Sequence, residues 1–478
     1  MKNLFNTTLF TVLLTWMSTL WATSVFNPYD ASEYLEAPFY SHSQEPHHFT
    51  FLKTGPIALQ ARLDLIQSAQ ESIEFEYFVF KVDKAGRLLL QALAERARDG
   101  IDVKIMFDHF GSFTEVSKYL VEELVESGVE FKAYNQNILN AYLAQFRNHR
   151  KMIVVDGEVA LTGGRNVSKR YFGVSEDYNL SDRDFILRGP IVSDIRESFY
   201  EYWNSEVAEP RDLPRRRRGF LRRLRMAKAQ DTMTQRKDDD RFIQELEEFV
   251  RDDLKDLPQA TCRNITYVTD RPIIGRDGMQ PYSRLARSVV ADRILNAQDR
   301  VYIESPYIVF DREKEVIFQQ VLDRGARLTL KSNSLKATNV FPVTAVFYKH
   351  LMPWFEKGLD AYIFKGEELA HHRSFPGMND ADWGIHSKAM LFDDDEVMLG
   401  SFNFDPRTTV WNTEYAIFCK DQEVASIIQE SVDKRLDHSF HLTHKDDISE
   451  YGFEGTTFWQ RILYSTIRHP SDWISFLL

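Results

Sequence analysis

The chain is 478 residues long, with 43% hydrophobic residues and a formal net charge of −12. That length accommodates two or three domains, each with a sizeable core. The acidic balance argues against broad nucleic-acid binding and leaves room only for local basic patches.

In chain order, Met1-Lys2-Asn3 precede an apolar run from about Leu9 to Trp21 and the small residues Ala22-Thr23-Ser24. This is the layout of a secretory signal. The run is shorter than the about 20 residues of an ordinary span, and an uncleaved anchor over 1–24 is the second reading. No later segment is apolar enough to span a bilayer. Residues 25–55, rich in Pro, His and aromatics, read as an irregular leader packed on the first domain. From Gly55 helices and strands alternate. Ala58 to Ala69 is helical, Ile73 to Phe80 a strand, Arg87 to Ala97 a helix, Val103 to Phe107 a strand, Val116 to Ser127 a helix and Val129 to Tyr134 a strand. The same order recurs with a helix at Leu285 to Asn296, a strand at Val301 to Ile303 and a helix at Lys314 to Arg324. A strand at Ala326 to Lys331, a helix at Thr344 to Lys357 and a strand at Ala361 to Phe364 follow. Such alternation implies α/β layers over largely buried sheets. The expected domains are 56–207 and 259–440, separated by an insertion over 208–258 and followed by an amphipathic tail over 441–478.

A hairpin closes each half. The first carries His149, Lys151 and Asp156, then Gly163-Gly164-Arg165-Asn166. The second carries His386, Lys388 and Asp393, then Gly400-Ser401-Phe402-Asn403. Both spell His-x-Lys-x4-Asp with Gly-x-x-Asn seven residues beyond the Asp. One such match has a chance probability of roughly a few per cent in a chain this long, so two with the same trailing motif are not accidental. Side chains on a strand repeat with period two, which puts His386 with Lys388, and Ser401 with Asn403, on one face. One imidazole can attack phosphorus while a second protonates the leaving oxygen, because imidazole titrates near neutral pH. The lysines and asparagines supply charge and donors to the transferring phosphoryl group. This chemistry needs no metal or other cofactor, and His-x-Lys lacks zinc-ligand spacing. Asp156 and Asp393 sit at strand ends before turns, where a structural role is at least as expected as a catalytic one.

These are the paired HKD motifs of the phospholipase D superfamily, and the chain resembles its bacterial cardiolipin synthases of the C type. The matching stretches include Tyr171-Phe172-Gly173, Asn333-Ser334-Leu335 with Ala337 and Asn339, Gly400 through Arg407, and Asn412-Thr413-Glu414. The resemblance implies two similar α/β/α domains packed across a pseudo-two-fold with one shared site. It implies His149 as the nucleophile that becomes phosphatidylated and His386 as acid, then base. It also implies a carboxylate that orients each histidine. Glu414 is the expected partner of His386. For His149, Asp184 is favoured over Asp182 because it opens an apolar strand, as Glu414 does. Gly164 stands where the second copy has Ser401, a departure that leaves the two contributions to phosphate binding unequal.

The implied activity is phosphatidyl transfer between phosphatidylglycerol and a second phospholipid such as phosphatidylethanolamine, at a membrane surface in the bacterial cell envelope. A hydrolytic phospholipase D and a nuclease of the same superfamily are the rivals. In the insertion, Arg215 to Arg218, Arg222, Arg223, Arg225 and Lys228 alternate with apolar residues, and an acidic run follows. The stretch fits anionic headgroups or a solvated insertion paired with that run. The tail from Phe458 through Leu478 fits a membrane interface or docking on the protein's own surface. Cys262 and Cys419 are the two cysteines; an exported chain permits their pairing.

Overall fold

The structure is a computed structural model that describes residues 32–137, 139–213, 220–234, 236–369 and 375–467. The N-terminal apolar segment, Arg215 to Arg218 and the final apolar run from Trp473 lie outside the described residues.

Two nine-stranded sheets are built from the described residues. In the first, Ser72–Tyr77, Asp102–Asp108 and Glu130–Tyr134 run parallel. Met152–Val155 pairs antiparallel with Ser72–Tyr77 and begins the hairpin with Val159–Gly163. The second sheet repeats this plan with Arg300–Glu304, Arg327–Asn333 and Asp360–Phe364 parallel, and the hairpin Ala389–Phe392 with Glu396–Gly400 beside Arg300–Glu304. Parallel neighbours need crossovers, supplied by helices Lys84–Arg98, Lys118–Glu126, Arg312–Asp323 and Phe341–Phe355. Their starts follow from the sequence. Asp83, Ser117 and Asp311 each accept from a backbone N–H in the first turn, and Pro342 stands in the first turn of Phe341–Phe355.

The sheet edges depart from the expected boundaries. The leader is not irregular throughout. Its strand His47–Leu52 joins the first sheet beside Asp184–Arg188, and its strand Tyr40–Ser43 crosses to the second sheet beside Ile265–Thr269. Conversely, Gln259–Cys262, expected to open the second domain, pairs with His47–Leu52 in the first sheet. Four-residue strands carry too little pattern to name their neighbours, so only the closed fold decides which sheet completes them. A disulfide joins Cys262 to Cys419 across the two sheets.

The sheets share a core in which Met152, Val154, Phe185 and Leu187 of the first meet Tyr267, Met398 and Ile417 of the second. The outer face of the first sheet is covered by Gly55–Ser68 and Lys84–Arg98. The insertion forms helices Phe220–Thr234 and Arg236–Val250, and Met233, Phe242, Leu246 and Val250 bury against that same face. Asp239, buried, binds Arg87 Nε at 3.0 Å. Helix Arg236–Val250 is therefore packed on the first half through its apolar face and Asp239, while most carboxylates of the acidic run stay exposed.

Candidate active site

The halves meet through two short parallel ladders. Arg147–Asn148 pairs with Asn412–Thr413, and Tyr178–Ser181 pairs with Asp382–Ile385. Each ladder ends at a histidine. The His149 N–H donates to the Thr413 carbonyl at 3.0 Å, and the His386 N–H to the Ser181 carbonyl at 2.8 Å. The residue after each acceptor is a carboxylate. Glu414 Oε2 lies 2.9 Å from His149 Nδ1, and Asp182 Oδ2 lies 2.6 Å from His386 Nδ1.

The orienting carboxylates are thus crossed between halves, which corrects the expected pairing. Glu414 faces His149, not His386. Asp182, not Asp184, faces His386. Asp184 opens the next strand and is bound instead by Arg62 at 3.0 Å and by Arg165 at 2.7 Å. Counting along one half cannot reveal a partner that the other half supplies. The signal available was positional equivalence: Asp182 and Glu414 each come just before the strand that flanks the hairpin.

Asp156 and Asp393 sit at the opposite end of the hairpin strands from the histidines. Both have positive φ, 54° and 52°. Asp156 accepts from the amides of Gln70, Glu71 and Ser72, and Asp393 from those of Gln298, Asp299 and Arg300. Both carboxylates tie a turn to the neighbouring strand, so the catalytic expectation for them gives way to a structural one.

The remaining motif residues gather at the histidines. Lys151 and Lys388 each donate back to the carbonyl of their own histidine, and Lys388 Nζ lies 2.8 Å from His386 Nδ1. Asn166 accepts from Val79 N–H and donates to the Tyr171 hydroxyl. Asn403 is buried with its side-chain oxygen unpartnered. Phe78 and Tyr171, neither singled out as a site residue from sequence, stand edge-on to His149 and His386, each at 4.9 Å between ring centroids. Ser401 donates to Glu414 Oε2 at 2.5 Å. At the matching position a Cβ on Gly164 would fall 2.4 Å from Asp182 Oδ1. The glycine is therefore needed to admit the Asp182 carboxylate, while the serine serves Glu414.

The sequence carries two copies of one constellation, the fold joins them at one centre, and the comparison with known families agrees in both places. The cardiolipin synthase, PLD-like domain family matches residues 63–203 and 290–436. The chain belongs to that family, within the phospholipase D superfamily. Cardiolipin synthase C of Escherichia coli is 25% identical over 87% of this chain and 94% of its own length. Cardiolipin synthase A of Pseudomonas aeruginosa is 26% identical over 83% and 68%. An uncharacterized protein of Helicobacter pylori is 26% identical over 84% and 82%. The crystal structure of phosphatidylserine synthase from Haemophilus influenzae shares the fold, with a TM-score of 0.62 at 16% identity over 90% of this chain and 95% of that one.

In this phospholipase D superfamily site the two dyads differ in charge. Burial lowers His149 well below its usual range, and Lys151 and Lys388 push it further. Burial raises the Glu414 carboxyl to about 8 against the pull of Lys151 and Ser401. The His149–Glu414 pair is thus held without net charge. Burial alone would raise Asp182 also, but Lys388, His386 and Arg165 hold it well below the usual carboxylate range. Burial and Lys388 lower His386 to about 3 against Asp182. A cationic cluster backs this second dyad. Arg183 and Arg435 both bind Glu304 and the Ser387 hydroxyl, Lys331 lies 3.6 Å from Glu304, and Arg435 Nη2 donates to the Asp182 carbonyl. Lys151 and Lys388 are themselves lowered by burial, to about 7 and about 8. Each histidine feels the lysine of the other copy, as one shared site requires.

Proposed function

We propose that the chain is a phosphatidyltransferase of the cardiolipin synthase type, working through a phosphatidyl-histidine. The observation that carries this reading is the crossed pair of histidine–carboxylate dyads, each built from both halves. His149, beside a carboxyl held toward its neutral form, keeps a free lone pair on Nε2 when Nδ1–H faces Glu414, as a nucleophile needs. His386, beside an ionised carboxylate, gains support for an imidazolium once an anionic phosphodiester enters.

His149 Nε2 attacks the phosphorus of one phospholipid. A P–N bond forms, the P–O bond to the headgroup breaks, and His386 gives its proton to the departing oxygen. A hydroxyl of a second lipid then loses its proton to His386 and attacks the same phosphorus. The P–N bond breaks and His149 is restored. Lys151, Lys388, Asn166 and Asn403 offset the charge on the phosphoryl oxygens. Phosphatidylglycerol, as donor or acceptor, and phosphatidylethanolamine as second lipid fit the named relatives. Hydrolysis uses the same residues with water as acceptor.

Full-length protein with labelled phosphatidylglycerol, with and without phosphatidylethanolamine, tests the reading. Cardiolipin as the main product is expected. Phosphatidic acid as the main product makes the chain a hydrolase, and DNA cleavage with inert lipids makes it a nuclease. After a denaturing quench at alkaline pH, where a P–N bond to imidazole survives, the parent should carry a phosphatidyl group and His149→Ala none, whereas His386→Ala should lose turnover by at least about 10³-fold.

A further inference from the structure

Two patches of exposed apolar side chains are left over by the core, and both lie at the histidine end of the sheets. On the first half, Asp108 accepts from the N–H of Asn148, the residue before His149, at 2.9 Å. The short helix His109–Ser112 follows. Its Gly111 lies so close to Phe78 that a Cβ would come 2.2 Å from the Phe78 carbonyl oxygen, and the Phe78 ring touches His149. From this helix Phe110 stands 59% exposed, with Phe113 beside it at 6.4 Å between ring centroids and Leu139 98% exposed on the next loop.

On the second half, the Asn333 side chain bonds both polar backbone atoms of Ile385, the residue before His386. Lys336, just beyond, lies against Gly455. Helix Phe458–Ile467 starts there. Its inner face is anchored by Tyr464 on Phe453 and Tyr348. Its other face leaves Phe458 and Trp459 more than 70% exposed, with Ile462 and Leu463 above 40%.

We propose that these two patches form one bilayer-docking rim, which seats the mouth of the site on a phospholipid surface. The proposal rests on the reading that the substrates are phospholipids. A diacyl lipid must present its phosphorus to His149 while its chains stay in an apolar phase, so the apolar surface belongs beside the mouth. Trp and Phe suit the interfacial layer. The sequence after the helix continues in the same character with Trp473, Ile474, Phe476, Leu477 and Leu478.

The test uses the full chain on vesicles of phosphatidylglycerol and phosphatidylcholine with brominated acyl chains. The brominated chains should quench Trp459, so the quenched fraction of tryptophan emission should fall in Trp459→Phe; an unchanged fraction overturns the rim. The pairs Phe110→Ser with Phe113→Ser, and Phe458→Ser with Leu463→Ser, should each lower turnover on vesicles about tenfold. Turnover of monomeric dihexanoyl phosphatidylglycerol should stay unchanged. Equal losses on both substrates, or a dimer that these variants convert to monomer, overturn the proposal in favour of site damage or a second copy. Quenching of Trp459 with no turnover of any lipid sinks the transferase reading and leaves the rim standing. Turnover on vesicles without such quenching does the reverse.

Discussion

The backbone N–H of His386 donates to the carbonyl of Ser181 at 2.8 Å. That single bond sets the next residue, Asp182, against the imidazole. The matching bond from His149 to Thr413 does the same for Glu414. Each histidine is therefore oriented by the half that does not contain it, and neither dyad exists until the two halves close on each other.

Asp182 and Asp184 should separate cleanly. Asp182→Asn removes the acceptor that orients His386 and should lower kcat by roughly 10³-fold with little change in Tm. Asp184→Asn leaves Arg62 and Arg165 buried without a full counter-charge and should cost about 3 kcal/mol of stability. Paired turnover and melting measurements check this; a Tm loss in Asp182→Asn matching that in Asp184→Asn would refute the distinction.

Glu414 carries a signed pH dependence. Its carboxyl is raised to about 8 in the fold, chiefly by burial, against roughly 4.3 in an unfolded chain. A raised value stabilises the fold at low pH, and that contribution is lost as pH climbs from the unfolded value through 8. Glu414→Gln, neutral at every pH, should therefore gain in Tm relative to the parent between pH 5 and pH 8, while turnover falls about 100-fold. A Tm difference that is flat across this range would mean that Glu414 is ionised in the fold without penalty.

The lysines set the alkaline limit of substrate binding. Lys151 falls to about 7 and Lys388 to about 8, burial being the largest cause for both. As pH rises through these values the ammonium charges are lost. KM for phosphatidylglycerol should rise between pH 7 and pH 9, with kcat at saturation less affected because the bound phosphodiester favours the charged lysines. A KM that stays constant to pH 9 would count against this.

Gly164 and Ser401 occupy matched positions and should not be exchangeable. Gly164→Ser puts an atom 2.4 Å from Asp182 Oδ1, and must push that carboxylate off His386. Turnover should drop at least about 100-fold. Ser401→Gly removes one donor from Glu414 and should cost about tenfold. Steady-state kinetics of the two variants decide it, and equal effects would show the asymmetry to be incidental.

Much of this protein was legible from residue order alone. The alternation of helix and strand, the duplicated motif and its histidines and lysines are local signals, carried within about twenty residues, because periodicity and spacing act along the chain. Asp156 and Asp393 were ambiguous for the same reason: a carboxylate before a turn looks alike whether it serves chemistry or the amides of an adjacent strand.

Contacts between halves were decided only by the tertiary structure. The exchange of Tyr40–Ser43 and Gln259–Cys262 between sheets, the choice of Asp182 over Asp184 and the crossing of Glu414 to His149 all depend on which backbone edges meet on closure. Their partners are more than 200 residues away. The charge difference between the dyads has the same origin. It comes from burial and from the cations that the closed fold places around Asp182, Lys388 first among them, and neither burial nor a distant ammonium leaves a trace in the order of residues beside Asp182.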